Sequence, residues 1–280
     1  MTNARDARIA PTAYYTSYVW HWLGLPYADL FATARGRRLF WSLRLAGEGM
    51  LALSPGLPSM AQYLALRHRT IDWALRRLEP DRVIELGAGL SRRGVTFAAD
   101  HGVRYLEVDL PHMIAEKRRL LESRASSRLL EQLAGQLTHH AIDVTAPDAA
   151  DQLAALLAGA RRPVVVGEGL FGYFPPAERL QIFRAIAQAL ATSGGGTLLA
   201  ELRSSEGGLP IATAARALRG AIWLVTRGRG AAADFPSPAG VRHALLTAGF
   251  STADPIPPEQ AVPDLAHLRV PTRVWQASPP

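Results

Sequence analysis

The stretch Arg82-Val83-Ile84-Glu85-Leu86-Gly87-Ala88-Gly89-Leu90 constrains this chain most. It reads as a buried strand that carries one acidic residue and opens into a glycine turn. Twenty residues past Gly89 stands Asp109, closing a second apolar run, Tyr105-Leu106-Glu107-Val108-Asp109. Glycines let backbone approach a ligand, and a helix start behind them offers free N–H groups. A carboxylate at the tip of the next strand suits a ribose diol. Together these features predict a nucleoside-binding crevice at the carboxyl ends of a parallel sheet.

The flanking pattern supports such a sheet. Candidate strands are Val83–Leu86, Arg104–Val108, Leu137–Asp143, Pro163–Glu168 and Gly196–Leu202. Candidate helices between them cover Ser91–Asp100, Met113–Glu122 (extending to Leu133), Ala149–Leu157 and Pro176–Ala191. The alternation predicts an α/β fold with helices on both faces. The rhythm then changes. Ile211–Leu218 reads as helix, Ala221–Thr226 as a short strand or helix, Gly228–Pro238 as loop and Val241–Ala248 as helix. Extended pieces near Ser251–Ile256 and Leu268–Trp275 are expected to pair as a terminal hairpin. Upstream, a helix is expected over Met60–Leu78, behind an aromatic beginning with Tyr14, Tyr15, Tyr18, Trp20, Trp22 and Tyr27. The expected division is a helical cap over 1–78 and a nucleoside-binding domain over 79–280.

Composition removes several classes. There is no cysteine, so disulfides, thiol catalysis and thiolate metal sites are excluded, and no metal site is expected. No apolar run reaches the roughly 18 residues of a membrane span, and no secretory signal pattern opens the chain. A cytoplasmic location is the default expectation. The formal charge of +7 invites a nucleic-acid reading. That reading is disfavoured, because the basic residues are scattered arginines with Lys117 the single lysine.

Which nucleoside is bound turns on the glycine turn and the later strand ends. A nicotinamide fingerprint wants a third glycine where Arg92 stands. S-adenosylmethionine has no pyrophosphate to cradle. It needs acidic residues near the first turn, for its amino group, and at the second strand, for its ribose. Glu85 and Asp109 suit these needs. Asp143 ends the third strand where an adenine amino group can be accepted, and Glu168 ends the fourth. Four carboxylates are thus expected along one rim.

At these residues the chain resembles the leucine carboxyl methyltransferase-like family. These are S-adenosylmethionine-dependent O-methyltransferases of the class I, Rossmann-like fold, and they include bacterial enzymes of secondary metabolism. The resemblance lies in Leu86-Gly87-Ala88-Gly89-Leu90, in Glu107-Val108-Asp109-Leu110-Pro111 followed by Lys117, and in Glu168-Gly169-Leu170-Phe171-Gly172-Tyr173-Phe174. Upstream, Arg67-His68-Arg69-Thr70-Ile71-Asp72 is similar to the family's arginine-bearing helix. The resemblance implies a parallel sheet with a C-terminal antiparallel strand, an N-terminal helical cap and S-adenosyl-L-methionine as cofactor. It implies Arg67 at the cofactor's carboxylate, the Gly87 and Gly89 turn under its methionine part and Asp109 on the ribose. Asp143 and Val144 would meet the adenine, Glu168 would lie near the amino group and Tyr173 would face the substrate. The tyrosines near Tyr14–Tyr18 would form a lid. The chain departs from the family where Ser91-Arg92-Arg93-Gly94 follows the turn, with only Arg93 matching.

The expected reaction is methyl transfer to an oxygen, carboxyl or hydroxyl, of a small molecule. A carboxylate nucleophile needs no general base, whereas an alcohol benefits from one. No base signature stands out. His139 and His140 lie in a predicted strand, where at least one reads as structural. His21 and His112 read as surface residues. Arg203 and Arg93 are the candidate countercharges for a carboxylate. A nicotinamide oxidoreductase, a nucleic-acid methyltransferase and a non-catalytic cofactor-binding relative stay open. Oligomeric state is not legible.

Overall fold

The computed structural model describes residues 10–45, 58–206 and 234–280. Among the described residues, three α-helices precede the sheet: α1 (Ala10–Trp22), α2 (Ala34–Leu45) and α3 (Met60–Leu78). Then come β1 (Arg82–Leu86), α4 (Arg93–His101), β2 (Arg104–Asp109), α5 (Pro111–Arg124), α6 (Ser127–Leu133) and β3 (Leu137–Ala141). These are followed by α7 (Ala149–Leu157), β4 (Pro163–Gly167), α8 (Pro176–Thr192) and β5 (Thr197–Arg203). The last part holds α9 (Pro238–Thr247), β6 (Thr252–Pro255), the short α10 (Pro258–Ala261) and β7 (Thr272–Ser278).

The strands form one sheet in the order β3-β2-β1-β4-β5-β7-β6. The first five are parallel, and β7 pairs antiparallel with both β5 and β6. The expected terminal hairpin is therefore present. Strand alternation explains the two cores. Ile84, Leu86, Val165 and Leu198 face Leu153, Ile182, Phe183 and Leu245 of α7, α8 and α9. Val83, Tyr105, Val164 and Leu199 face Ile71, Leu75, Val95 and Leu120 of α3, α4 and α5. A third cluster joins Tyr15, Val19, Trp20, Phe40 and Leu64, which packs α1 and α2 on the start of α3.

Local chemistry moved several boundaries. Ser59 and Gln62 form a reciprocal capping box, which starts α3 at Met60 as expected. The helix expected to run on to Leu133 breaks before Ser126, whose hydroxyl accepts from the N–H of Leu129 and starts α6. β3 stops at Ala141, two residues short of the expected Asp143. The Asp143 carboxylate instead accepts from the N–H and hydroxyl of Thr145, so the chain turns there. The expected elements at Ile211–Leu218 and Ala221–Thr226 lie outside the described residues, as does most of the Gly228–Pro238 loop. No helix among the described residues is long and apolar enough to cross a membrane.

Candidate active site

Register places the site. Leu86 of β1 lies beside Val108 of β2 and Gly167 of β4, and Gly167 lies beside Ala200 of β5. One residue further along each strand, Asp109, Gly87, Glu168 and Glu201 form a single row across the carboxyl edge of the sheet. The row borders a cavity of about 750 Å³ that Asp143, Val144 and Tyr173 also line. Crevices at this edge are where open α/β sheets bind ligands.

The turn after β1 has the shape its glycines predict. Gly87 and Gly89 sit at φ +63° and +49°, the left-handed region. A Cβ on Gly87 would stand 2.8 Å from Leu170, and one on Gly89 would stand 3.3 Å from Ala13 of α1. The turn is pinned from beneath: Asp109 accepts from the N–H of Gly89 at 2.6 Å and from that of Leu110 at 2.7 Å. Burial pushes the Asp109 carboxyl above its ordinary range, against the pull of those two N–H groups. A carboxylate has about four lone-pair sites, so two remain for a ligand.

Close packing of helix on strand, the usual task of a third glycine, falls to Gly94. A Cβ there would stand 2.2 Å from Glu107 Oε1. Arg92 is buried and pairs with Asp72 and with the hydroxyl of Thr96. The arginine that disfavours a dinucleotide fingerprint is thus a structural residue, and the glycine is displaced by two positions.

Beneath the rim lies a buried charge network. Arg93 is fully buried and reaches Asp72 at 2.7 Å, Glu85 at 2.5 Å and Glu168 at 2.6 Å. Burial disfavours its charge, but Glu85, Glu168 and Asp72 outweigh that and raise its pKa far above the ordinary value. Burial also opposes ionisation of Glu168. His68, Arg93 and Arg67 overcome it and hold that carboxyl well below the usual range. Glu85 shows the opposite outcome: burial raises its pKa despite Arg93 and Lys117. His68 Nδ1 stands 2.9 Å from Glu168 and 2.8 Å from Arg93, and Nε2 accepts from Arg92 Nε at 3.3 Å. Burial and then Arg93 lower the His68 pKa, so the ring is neutral.

Several expectations need correction. Arg93 is no countercharge for a substrate, because three carboxylates enclose it beneath the cavity. Glu85 lies two residues short of the row and still lines the cavity, but its oxygens are engaged by Arg93 and the Tyr105 hydroxyl. Its place in the row is taken by Glu201, which sequence reasoning missed. Glu201 accepts from Gly169 N–H at 2.7 Å, Arg67 at 3.1 Å and the Tyr63 hydroxyl at 3.1 Å. A lone carboxylate inside the apolar run Thr197–Arg203 was the available signal. Arg67 bridges Glu168 and Glu201 at the cavity wall. In the expected lid, Thr12, Ala13, Tyr15, Thr16 and Trp20 reach the cavity, whereas Tyr14 and Tyr18 do not line it. Arg203 lines the cavity while paired with Asp234 at 3.0 Å. His139 pairs with buried Glu107, the partner of Lys117, and is structural. His112 is half-buried and lines the cavity, with both ring nitrogens buried.

Comparison with solved structures finds the same fold at low identity. A protein described as a methyltransferase from Thermobifida fusca YX matches at TM-score 0.57 and 15% identity, over 95% of this chain and 93% of that one. An O-methyltransferase family protein from Burkholderia thailandensis matches at TM-score 0.52 and 14% identity, over 90% of this chain and 62% of that one. The S-adenosylmethionine-dependent methyltransferase SibL in its apo form matches at 0.51 and 18%, over 83% and 62%. The chain therefore spans about three fifths of the length of two of these three proteins. With the strand order above, the fold is that of the class I methyltransferases. No curated protein sequence matches the chain. The family model described as leucine carboxyl methyltransferase matches residues 22–187, more than half of the 280 residues. The chain belongs to the leucine carboxyl methyltransferase family.

Proposed function

We propose that the protein binds S-adenosyl-L-methionine and transfers its methyl group to a carboxylate oxygen of a small molecule. The observation that carries this reading is the row Asp109–Gly87–Glu168–Glu201, with Arg67 beside it, along one edge of the cavity. The donor set fits the cofactor. Asp109 keeps lone pairs for a ribose diol, and Asp143 and Val144 line the cavity beyond it for the adenine. Guanidinium has five N–H donors. Arg67 spends one on each of its two carboxylates and keeps the rest for the methionine carboxylate. When bound, the cofactor supplies an electrophilic methyl on a sulfonium. The chain holds and aligns the two partners and excludes water.

The acceptor end lies at β4 and β5. Tyr173 lines the cavity and hydrogen-bonds the Thr12 hydroxyl at 2.9 Å. Burial raises its pKa against the effects of Thr12 and Arg67, so the phenol stays protonated and orients an acceptor rather than taking a proton. Arg203 stands beside the Gly172–Tyr173 turn and attracts an acidic acceptor, with Asp234 fixing its position. A carboxylate is already ionised at neutral pH, so these residues suffice without a base. The third-glycine position, filled by buried Arg92, disfavours the nicotinamide reading.

Calorimetry with S-adenosylmethionine, followed by mass spectrometry of a panel of carboxylic acids, phenols and alcohols, tests the proposal. Methyl esters should form together with S-adenosylhomocysteine. Asp109→Ala should weaken cofactor binding by about tenfold, the loss of one charge-assisted hydrogen bond to a ligand hydroxyl. Binding without turnover on any acceptor would point to a non-catalytic relative. Enhanced fluorescence of added reduced nicotinamide, with no heat from S-adenosylmethionine, would point to an oxidoreductase.

A further inference from the structure

We propose that the methyl acceptor is an amphipathic acid, with its carboxylate beside Tyr173 and Arg203 and an apolar body seated against Leu39, Leu43 and Met60 of the helical cap. This rests on the carboxyl-acceptor reading above and names the class of acid.

The cavity is charged on one side and apolar on the other. Asp109, Glu168, Glu201, Arg67 and Arg203 border it along the sheet edge. The cap wall differs. Met60, Tyr63, Leu64 and Arg67 of α3 recur at the spacing of one helical face, and all four line the cavity. At 1.5 Å per residue this stripe runs about 10 Å from Arg67, beside the strand-end row, to Met60. From α2, Leu39 and Leu43 line the cavity one turn apart, whereas Trp41 and Leu45 of the same helix are exposed. Leu39, Leu43 and Met60 pack against the Tyr15–Phe40 cluster yet are only half-buried, so each keeps apolar surface that the core does not cover. The hydroxyls that α1 brings to this wall are engaged. Thr12 bonds the Tyr173 hydroxyl, and Thr16 donates to the carbonyls of Thr12 and Ala13.

A ligand body on this wall gains by leaving water, about threefold in affinity for each buried methylene. A hydroxylated or charged body would lose its water there without replacement hydrogen bonds. The cofactor's polar groups are served along the row by Asp109, Asp143 and Arg67, which leaves the cap wall to the acceptor. The division of the cavity into a charged edge and an apolar wall therefore selects an acid with a hydrocarbon body over an amino acid or a sugar acid.

The test is calorimetry of butanoate, hexanoate, octanoate and gluconate on the protein saturated with S-adenosylhomocysteine, in wild type, Leu43→Gln and Leu43→Met. In wild type, affinity should rise about threefold per methylene from butanoate to octanoate, and gluconate should bind no better than butanoate. Leu43→Gln should weaken octanoate by about tenfold while butanoate and S-adenosylhomocysteine stay within about twofold. Leu43→Met, which keeps the wall apolar, should stay near wild type. Thermal melts check folding, and Leu39→Gln is the second variant on the same face. Equal affinities for butanoate and octanoate, or an unchanged chain-length dependence in both glutamine variants, would overturn the assignment and leave the cofactor reading standing. Chain-length dependence in a protein that takes up no S-adenosylhomocysteine would support the apolar subsite and remove the cofactor reading.

Discussion

Arg93 carries more of the site than any residue that touches the cavity. Its guanidinium joins α3 through Asp72, β1 through Glu85 and the end of β4 through Glu168. Removing it leaves three buried carboxylates without their common cation. Breaking a buried pair in this way costs about 3–5 kcal/mol, because the remaining charge is uncompensated. Arg93→Met should lower unfolding free energy in urea by that amount. Arg93→Lys should restore little, since a single ammonium cannot reach three carboxylates as a planar fork does. A loss below about 1 kcal/mol in the methionine variant would show that the network relaxes around the gap. The sequence marked Arg93 as a family position and offered it as a substrate countercharge, not as the centre of a buried network. One buried arginine and one exposed arginine look the same until the fold encloses one of them.

At the scale of elements, α1 closes the cavity by two contacts of different kinds. Trp20 stacks on His68 with ring centroids 4.1 Å apart, which anchors the C-terminal end of the helix. Near its start, Thr12 meets Tyr173 across the cavity. The first contact is apolar and buried, and the second is a single hydrogen bond at the acceptor end. Tyr173→Phe should therefore raise KM for the acceptor several-fold while leaving S-adenosylhomocysteine affinity within about twofold, since one neutral hydrogen bond is worth about 1 kcal/mol. An equal loss in cofactor affinity would place Tyr173 against the cofactor instead. The aromatic crowding of this region was legible from sequence. Which aromatics point inward was not, because α1 carries apolar residues on every side and helical periodicity alone does not choose a face.

For the whole molecule, the network sets the response to acid. Asp72 and Glu168 have depressed pKa values in the folded state. Their contribution is complete above the unfolded carboxylate range near pH 4 and is lost as pH falls toward the depressed values. His68 acts earlier. The fold keeps it neutral, whereas the unfolded chain binds a proton below about pH 6.5, so stability starts to fall there. Glu85 opposes this trend, since its raised pKa makes the folded state bind a proton first. The melting temperature should decline between pH 6.5 and 5 in wild type and stay nearly flat in His68→Gln over the same interval. Equal slopes in the two proteins would show that His68 does not set the early phase.

Local signals determined the elements of the parallel sheet, the glycine turn and the identity of Asp109, because these depend on residues close together in the chain: alternation, turn chemistry, and a carboxylate one strand away. They also pointed to the family. Only the tertiary structure decided which charges face the cavity and which lie beneath it. Glu85 and Glu201 both sit in apolar strands and both line the cavity, but register places only Glu201 in the strand-end row. Gly94 took over the packing expected two positions earlier, and half-buried His112 lines the cavity. Each outcome depends on contacts between separate elements, such as Gly94 of α4 against Glu107 of β2, so the pattern of no single element contains both partners.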